Sequence, residues 1–242
     1  MSEAIEEARV DLAAAFRWAV RHGLHEGICN HFSFMVPGRD DVFLINAHGY
    51  HWSEITASNL VLVDRDGRVV EGTGEVEPTA YYIHWRVHLS APHARCVLHT
   101  HQPYATAMAS LKDKRLPIIN QNAIRFHDRV AYDEDYGGVV LDTDEGDRLG
   151  RKLGNKSVLM MGNHGVMVVG PTVARAFDDL YYLERACLTL LLAMLTRQEL
   201  DEIDPEVVRT TAAAIAAEQD FAVVHFAALK RVLDRQEPDY RI

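Results

Sequence analysis

The sequence predicts an α/β fold, a largely antiparallel central sheet with helices on its faces. Two observations carry that expectation. Short apolar runs recur between turn residues, and stretches with helical spacing and helix length alternate with them along the chain. A third observation fixes the scale: neither an internal repeat nor a linker-like stretch divides the 242 residues, so one domain over 1–242 is expected, ending in helices from about residue 200.

Taken in order, residues 4–22 place Leu12, Phe16, Ala19 and Val20 on one helical stripe, with Gly23 as a stop. HFSFMVPG and VFLINAHG read as strands joined by the turn-forming PGRDD. NLVLVDRDGRVVEG reads as a hairpin with Asp66-Gly67 at its tip. After Pro78 the segment TAYYIHWRVHLSA has helical spacing and stops before Pro92. RCVLHTH follows as a strand and PYATAMASLK as a helix. A short strand and a helix are expected over 139–153, strands at SVLMM and VMVVG on either side of NHG, and a long helix over 171–197. Helical segments around 204–218 and 220–234 complete the chain.

Composition excludes several classes. A formal charge of −10 lacks the basic footprint that nucleic acid or an anionic membrane surface requires. No window reaches the roughly 18 apolar residues of a membrane span, and the acidic start MSEAIEEARV lacks the basic region of a signal peptide. Three scattered cysteines, Cys29, Cys96 and Cys187, point to reduced thiols and a cytoplasmic setting. The chemistry is carried instead by thirteen histidines.

In a strand, positions i and i+2 share a face, so His99 and His101 of CVLHTH project together and Thr100 turns away. Two adjacent imidazoles suit a divalent cation. The same pattern is met by two histidines hydrogen-bonded at a strand end, and in a chain this rich in histidine one H-x-H pair is expected by chance on the order of once. His164 in GNHGVMVVG adds a third candidate at a glycine-containing turn, where a backbone-satisfied turn histidine is the alternative. Three histidines from two strand ends would leave coordination positions open, as catalytic metals require.

VLHTHQPYATAMAS, followed by NHGVMVVGPTVARAFDDLYYLERAC, resembles the class II aldolase/adducin family, and the likeness runs from about residue 5 to about residue 200 through CNHFSF, LINAHGYHWSEI and the DRDG hairpin. The resemblance implies a three-layer α/β/α fold on a mainly antiparallel sheet. It implies one divalent metal per subunit (Zn, Mn, Fe or Co) held by His99, His101 and His164. It also implies a homotetramer with active sites at subunit interfaces, acting on a small-molecule substrate.

The chain departs from the sugar-phosphate branch of that family. The acid/base carboxylate expected nineteen positions before His99 falls on Ala80, and the preceding serines become Pro78 and Thr79. Glu77 and Glu75 lie just upstream, either as substitutes or as solvated loop acids. The phosphate loop reads Ala47-His48-Gly49-Tyr50, so His48 replaces a small hydroxyl while Gly49 still offers an N–H. Asn30 matches a substrate-site asparagine of the family, and Thr79 is kept as a substrate-binding candidate. His84 is a candidate support for the histidine pair or a proton donor, and a structural helix histidine is the alternative. His48 and His51 beside Tyr50 and Trp52 read either as a polar-aromatic substrate surface or as a packed loop. In IRFHDRVAYDEDYGG, Arg125 is a candidate carboxylate clamp and Tyr136 a catalytic candidate.

These residues point to a metal-dependent carbon–carbon lyase, an aldolase or decarboxylase, for a small, non-phosphorylated hydroxy or oxo carboxylate, aromatic ones included. A sugar-phosphate aldolase or epimerase with another acid/base, an iron-dependent oxygenase and a non-catalytic, adducin-like assembly module are the competing readings.

Overall fold

The computed structural model describes residues 3–138, 143–218 and 221–242. Eight strands form one sheet: β1 (His31–Met35), β2 (Val42–Asn46), β3 (Leu60–Asp64), β4 (Val69–Glu71), β5 (Cys96–Thr100), β6 (Val130–Asp133), β7 (Val158–Met161) and β8 (Gly165–Gly170), in the order β4-β3-β2-β1-β5-β8-β7-β6. Every neighbouring pair is antiparallel except β6 with β7, which is parallel.

Helices cover both faces. On one lie α1 (Glu3–Arg21), α3 (Pro103–Ala109), α4 (Gln121–Ile124), α6 (Val173–Leu195) and α8 (Phe221–Gln236); on the other lie α2 (Pro78–Ser90) and α5 (Thr143–Leu153). A further helix, α7 (Pro205–Ala217), is mostly exposed and buries Val208 alone among its described residues.

Alternation along the strands divides the core. In β5, Cys96 and Leu98 face the α1/α6 layer, whereas Val97 packs under α2 and α5. The first core is anchored by aromatic side chains: Phe16 of α1 stacks on Phe32 of β1 at 4.7 Å and meets Trp52 edge-on at 4.8 Å. All three rings are fully buried, and each contributes about 1.5–3 kcal/mol by leaving water. The C-terminal turn Pro238–Arg241 returns to α1, where Arg17 donates to Asp239 and Glu237 while Tyr240 is sealed beneath.

Most expected elements form within a residue or two of their limits, including the Asp66-Gly67 hairpin, whose Gly67 has φ +78°. Two were not expected. The strand β6 and the short helix α4 fall in the stretch around Arg125 and Tyr132, whose mixture of charges and aromatic residues hides the two-residue period of a strand. Of the short strand and helix expected over 139–153, the helix is α5, and residues 139–142 lie outside the described residues. No single helix among the described residues is long and apolar enough to cross a membrane.

Candidate metal centre

The histidine site is built where β5 ends beside the β7–β8 hairpin. β5 pairs with β8 so that His99 stands opposite Met167 and Thr100 opposite Val166. β7 turns into β8 through Gly162, Asn163 and His164, with Met161 opposite Gly165. Asn163 takes φ +55°, and an added Cβ at Gly162 would stand 2.7 Å from the Asp133 carbonyl, so the turn is as tight as the chain permits. It carries the His164 ring to 4.9 Å from that of His99 and 4.8 Å from that of His101, which are themselves 5.1 Å apart. One ring nitrogen from each histidine lies within 4.8 Å of the other two.

Hydrogen bonds choose which nitrogens face inward. Nδ1 of His99 donates to the Val166 carbonyl at 2.9 Å. Nδ1 of His101 is 2.5 Å from the Glu26 carboxylate, and its Nε2 is buried without a partner. Imidazoles held from behind by a carbonyl or carboxylate present their other nitrogen as a ligand. Burial, reinforced by the neighbouring histidines, pushes His99 well below its ordinary value and lowers His164 to about 4. Both rings are therefore neutral at neutral pH, the state a metal requires. The unsatisfied Nε2 and this donor set fit a divalent cation.

A second set of histidines lies under the first. His31 of β1 stands opposite His99 of β5, and its ring is 6.1 Å from that of His84 on α2. Burial lowers His31 to about 4, an effect opposed by the nearby Glu77 carboxylate and increased by His48. His84 is 1% exposed, with Nδ1 2.6 Å from the Ser33 hydroxyl, which also lies 2.8 Å from Nε2 of His88.

The other sequence candidates divide. Tyr136 is brought in, its exposed ring 6.1 Å from His164. His48 and Gly49 lie exposed on the loop after β2, with Gly49 at φ +89°. Asn30 is buried at φ +70° and accepts from the His101 backbone N–H at 3.2 Å, so its carbonyl oxygen clasps a member of the triad. Thr79 lies in the first turn of α2.

Two further candidates have partners of their own within the chain. Glu77 is the N-cap of α2: its carboxylate accepts from the Ala80 N–H at 2.8 Å, ahead of Pro78 at the first helical position, and it lies close enough to His31 to oppose the lowering of that imidazole. Arg125 donates to Asp178 of α6 at 2.9 Å and lies 3.9 Å over the Tyr182 ring, so within the chain it packs against the α6 layer and is not brought to the triad. The His48–Trp52 cluster is also divided: Trp52 is core, while His51 caps a short turn and meets His25 at 3.2 Å. Sequence reasoning missed Glu26, His31, Ser33 and His88. The signal for two of them was H-x-S in HFSFM, which sets His31 and Ser33 on one face of β1.

Residues 10–191 match the family described as class II aldolase and adducin N-terminal domain. The chain belongs to the class II aldolase/adducin family. A crystal structure of an aldolase II superfamily protein from Pseudomonas syringae is 39% identical, covers 100% of this chain and 98% of its own, and superposes with a TM-score of 0.93. The decarboxylase NovR of Streptomyces niveus is 29% identical over 90% of this chain and 83% of its own length. Alpha-adducin of Mus musculus is 36% identical over 74% of this chain, which accounts for 24% of that longer protein. The fold of this class II aldolase/adducin member, a mainly antiparallel sheet between two helical layers, is the one its sequence resemblance implied.

Proposed function

We propose that the protein is a divalent-metal-dependent carbon–carbon lyase for a small, non-phosphorylated hydroxy or oxo carboxylate. The observation that carries this reading is the set of three imidazoles with ligand atoms within 4.8 Å, one of them a buried Nε2 with no partner. His99, His101 and His164 would hold zinc, manganese, iron or cobalt, and the bound cation would act as a Lewis acid toward a substrate oxygen.

The protein's own groups supply orientation and selection. Val166 and Glu26 fix two of the imidazoles, and Asn30 ties the backbone of His101. Beside His164 lies a cleft lined by Asp133, Tyr136, Glu145 and Arg148. Arg148 is spent there on Asp133 and Glu145, at 2.7–2.8 Å and 2.6–2.7 Å respectively, so its guanidinium is not free to clamp a phosphate dianion, which supports a non-phosphorylated substrate. Kinship with a protein named as a decarboxylase supports carbon–carbon bond breaking. Retro-aldol cleavage and decarboxylation both fit, since each leaves an electron pair on carbon beside a polarised oxygen.

The assembly this reading carries is a homotetramer, and the exposed Val207, Val223 and Val224 of α7 and α8 support an oligomer. The three free cysteines support a reducing, cytoplasmic setting.

Metal analysis of the purified protein grown with added Zn, Mn, Fe or Co tests the proposal, together with assays for aldehyde and carbon dioxide release from hydroxy and oxo carboxylates. One equivalent of metal per chain, lost in His99→Ala, is expected. Absence of stoichiometric metal in the parent protein would leave the adducin-like assembly role as the better reading.

A further inference from the structure

Ser33, His84 and His88 form a buried chain whose proton positions can be read from its hydrogen bonds. Nδ1 of His88 lies 2.6 Å from the Ala94 carbonyl, which only accepts, so the His88 proton is on Nδ1. A neutral imidazole has one N–H, and burial, which lowers His88 to about 4, keeps it neutral. Nε2 of His88 is then an acceptor, and the Ser33 hydroxyl donates to it at 2.8 Å. With its only hydrogen used, Ser33 Oγ must accept from Nδ1 of His84 at 2.6 Å. Burial, which lowers His84 well below its ordinary value, keeps this imidazole neutral too, so its one proton is on Nδ1 and Nε2 is left as a bare lone pair.

That Nε2 is buried and without a partner. Its direction follows from the strand register. Ser33 and His31 share a face of β1, and His31 stands opposite His99. The two nitrogens of an imidazole point to nearly opposite sides of the ring, so with Nδ1 turned to Ser33, Nε2 faces the His31 and His99 end, where the triad lies. The carboxylates nearby are engaged: Glu26 with His101, Glu145 with Arg148, and Glu77 with the Ala80 N–H. An unmet acceptor in the interior is costly, and a bound donor would offset that cost.

We infer that Nε2 of His84 is the proton acceptor for a substrate hydroxyl, with Ser33 and His88 as positioning residues that hold it in that tautomer. This rests on the lyase reading and deepens it, because it selects a β-hydroxy carbonyl compound and retro-aldol cleavage. The hydroxyl O–H breaks and an N–H forms at Nε2. The oxygen's electron pair becomes the second bond of a new carbonyl. The adjacent carbon–carbon bond breaks, and its pair leaves on the carbon next to the existing carbonyl, which then takes the proton back from Nε2. No outside reagent is consumed. A carboxylate without a hydroxyl offers Nε2 nothing to accept.

The test is long-range ¹⁵N–¹H NMR of the histidine side chains in the metal-free full chain, with His84 assigned by His84→Gln, followed by metal loading and titration with 4-hydroxy-2-oxopentanoate and its 4-deoxy analogue 2-oxopentanoate. A protonated Nδ1 and bare Nε2 are expected, with the Nε2 resonance shifted by the hydroxy compound and not by the deoxy one. Ser33→Ala should release the tautomer and Ser33→Thr restore it. A protonated Nε2 in the parent protein overturns the chain of bonds whatever the fate of the lyase reading. A bare Nε2 that responds to neither compound, or to both alike, overturns the acceptor role. Failure of the lyase reading is seen separately, as absence of bound metal.

Discussion

The Glu26 carboxylate holds Nδ1 of His101 at 2.5 Å, and the same ring's Nε2 is buried with no partner beside His99 and His164. The contact reaches across 75 residues, from an exposed turn before β1 to the end of β5. It fixes the ring's orientation and leaves Nε2 as the nitrogen offered to a ligand. Glu26→Gln is expected to weaken metal affinity about 10- to 100-fold while leaving the fold intact. Competition with a fluorescent chelator measures it; an unchanged affinity would show that the Glu26 contact does not tune the site.

Gly165 opens β8 directly after His164. A Cβ there would stand 2.5 Å from the Thr100 carbonyl and 2.7 Å from Cδ2 of His101. Gly165→Ala is therefore expected to displace the His101 ring or part β5 from β8, reducing metal occupancy with no change in the ligand residues. Occupancy by mass spectrometry under native conditions, set beside the parent protein, decides it.

Stability should depend on pH in a direction the buried histidines fix. Burial holds His88 and His164 at about 4, and His84 and His99 well below the ordinary 6.5. Between about pH 4 and 6.5 the unfolded chain therefore binds more protons than the folded one, so stability rises with pH across that window and is lost as acid is added. For fully buried His88 the slope approaches about 1.4 kcal/mol per pH unit. Urea midpoints of the metal-free protein should follow this trend, and bound metal should oppose the loss by holding the triad neutral. A flat profile for the metal-free protein would contradict it.

Arg125 should matter for folding rather than turnover. Removing it in Arg125→Ala deprives the buried Asp178 of its 2.9 Å partner and uncovers the Tyr182 face, costing about 1.5–3 kcal/mol. His225, 2.7 Å from the same carboxylate, keeps the loss from being larger. The expected result is a lower unfolding midpoint with metal content unchanged.

The clustering of His99, His101 and His164 was legible because each lies beside a strand with a clear two-residue pattern or at a glycine-marked turn. Glu26 was not, since it sits in a turn with no periodicity and finds His101 only through the folded sheet. His31 gains its meaning from standing opposite His99 across β1 and β5, a register that a single sequence does not print. Glu77 invited a catalytic role by its distance from the histidines, although its place before Pro78 was itself a helix-start signal. The partners of Arg125, an acid and a ring from α6 more than fifty residues on, were likewise beyond what its local sequence shows.

β5 lies in the interior of the eight-stranded order, bonded to β1 on one side and β8 on the other. Amide hydrogens of such a strand exchange only when the surrounding sheet opens, so those of Val97, Leu98 and His99 should be among the slowest in the chain. His99, inside β5, shares that protection, whereas His101 follows the strand end and His164 sits in the β7–β8 turn, so a cation seated among the three would have one imidazole held for the lifetime of the sheet and two that local opening at the rim could loosen.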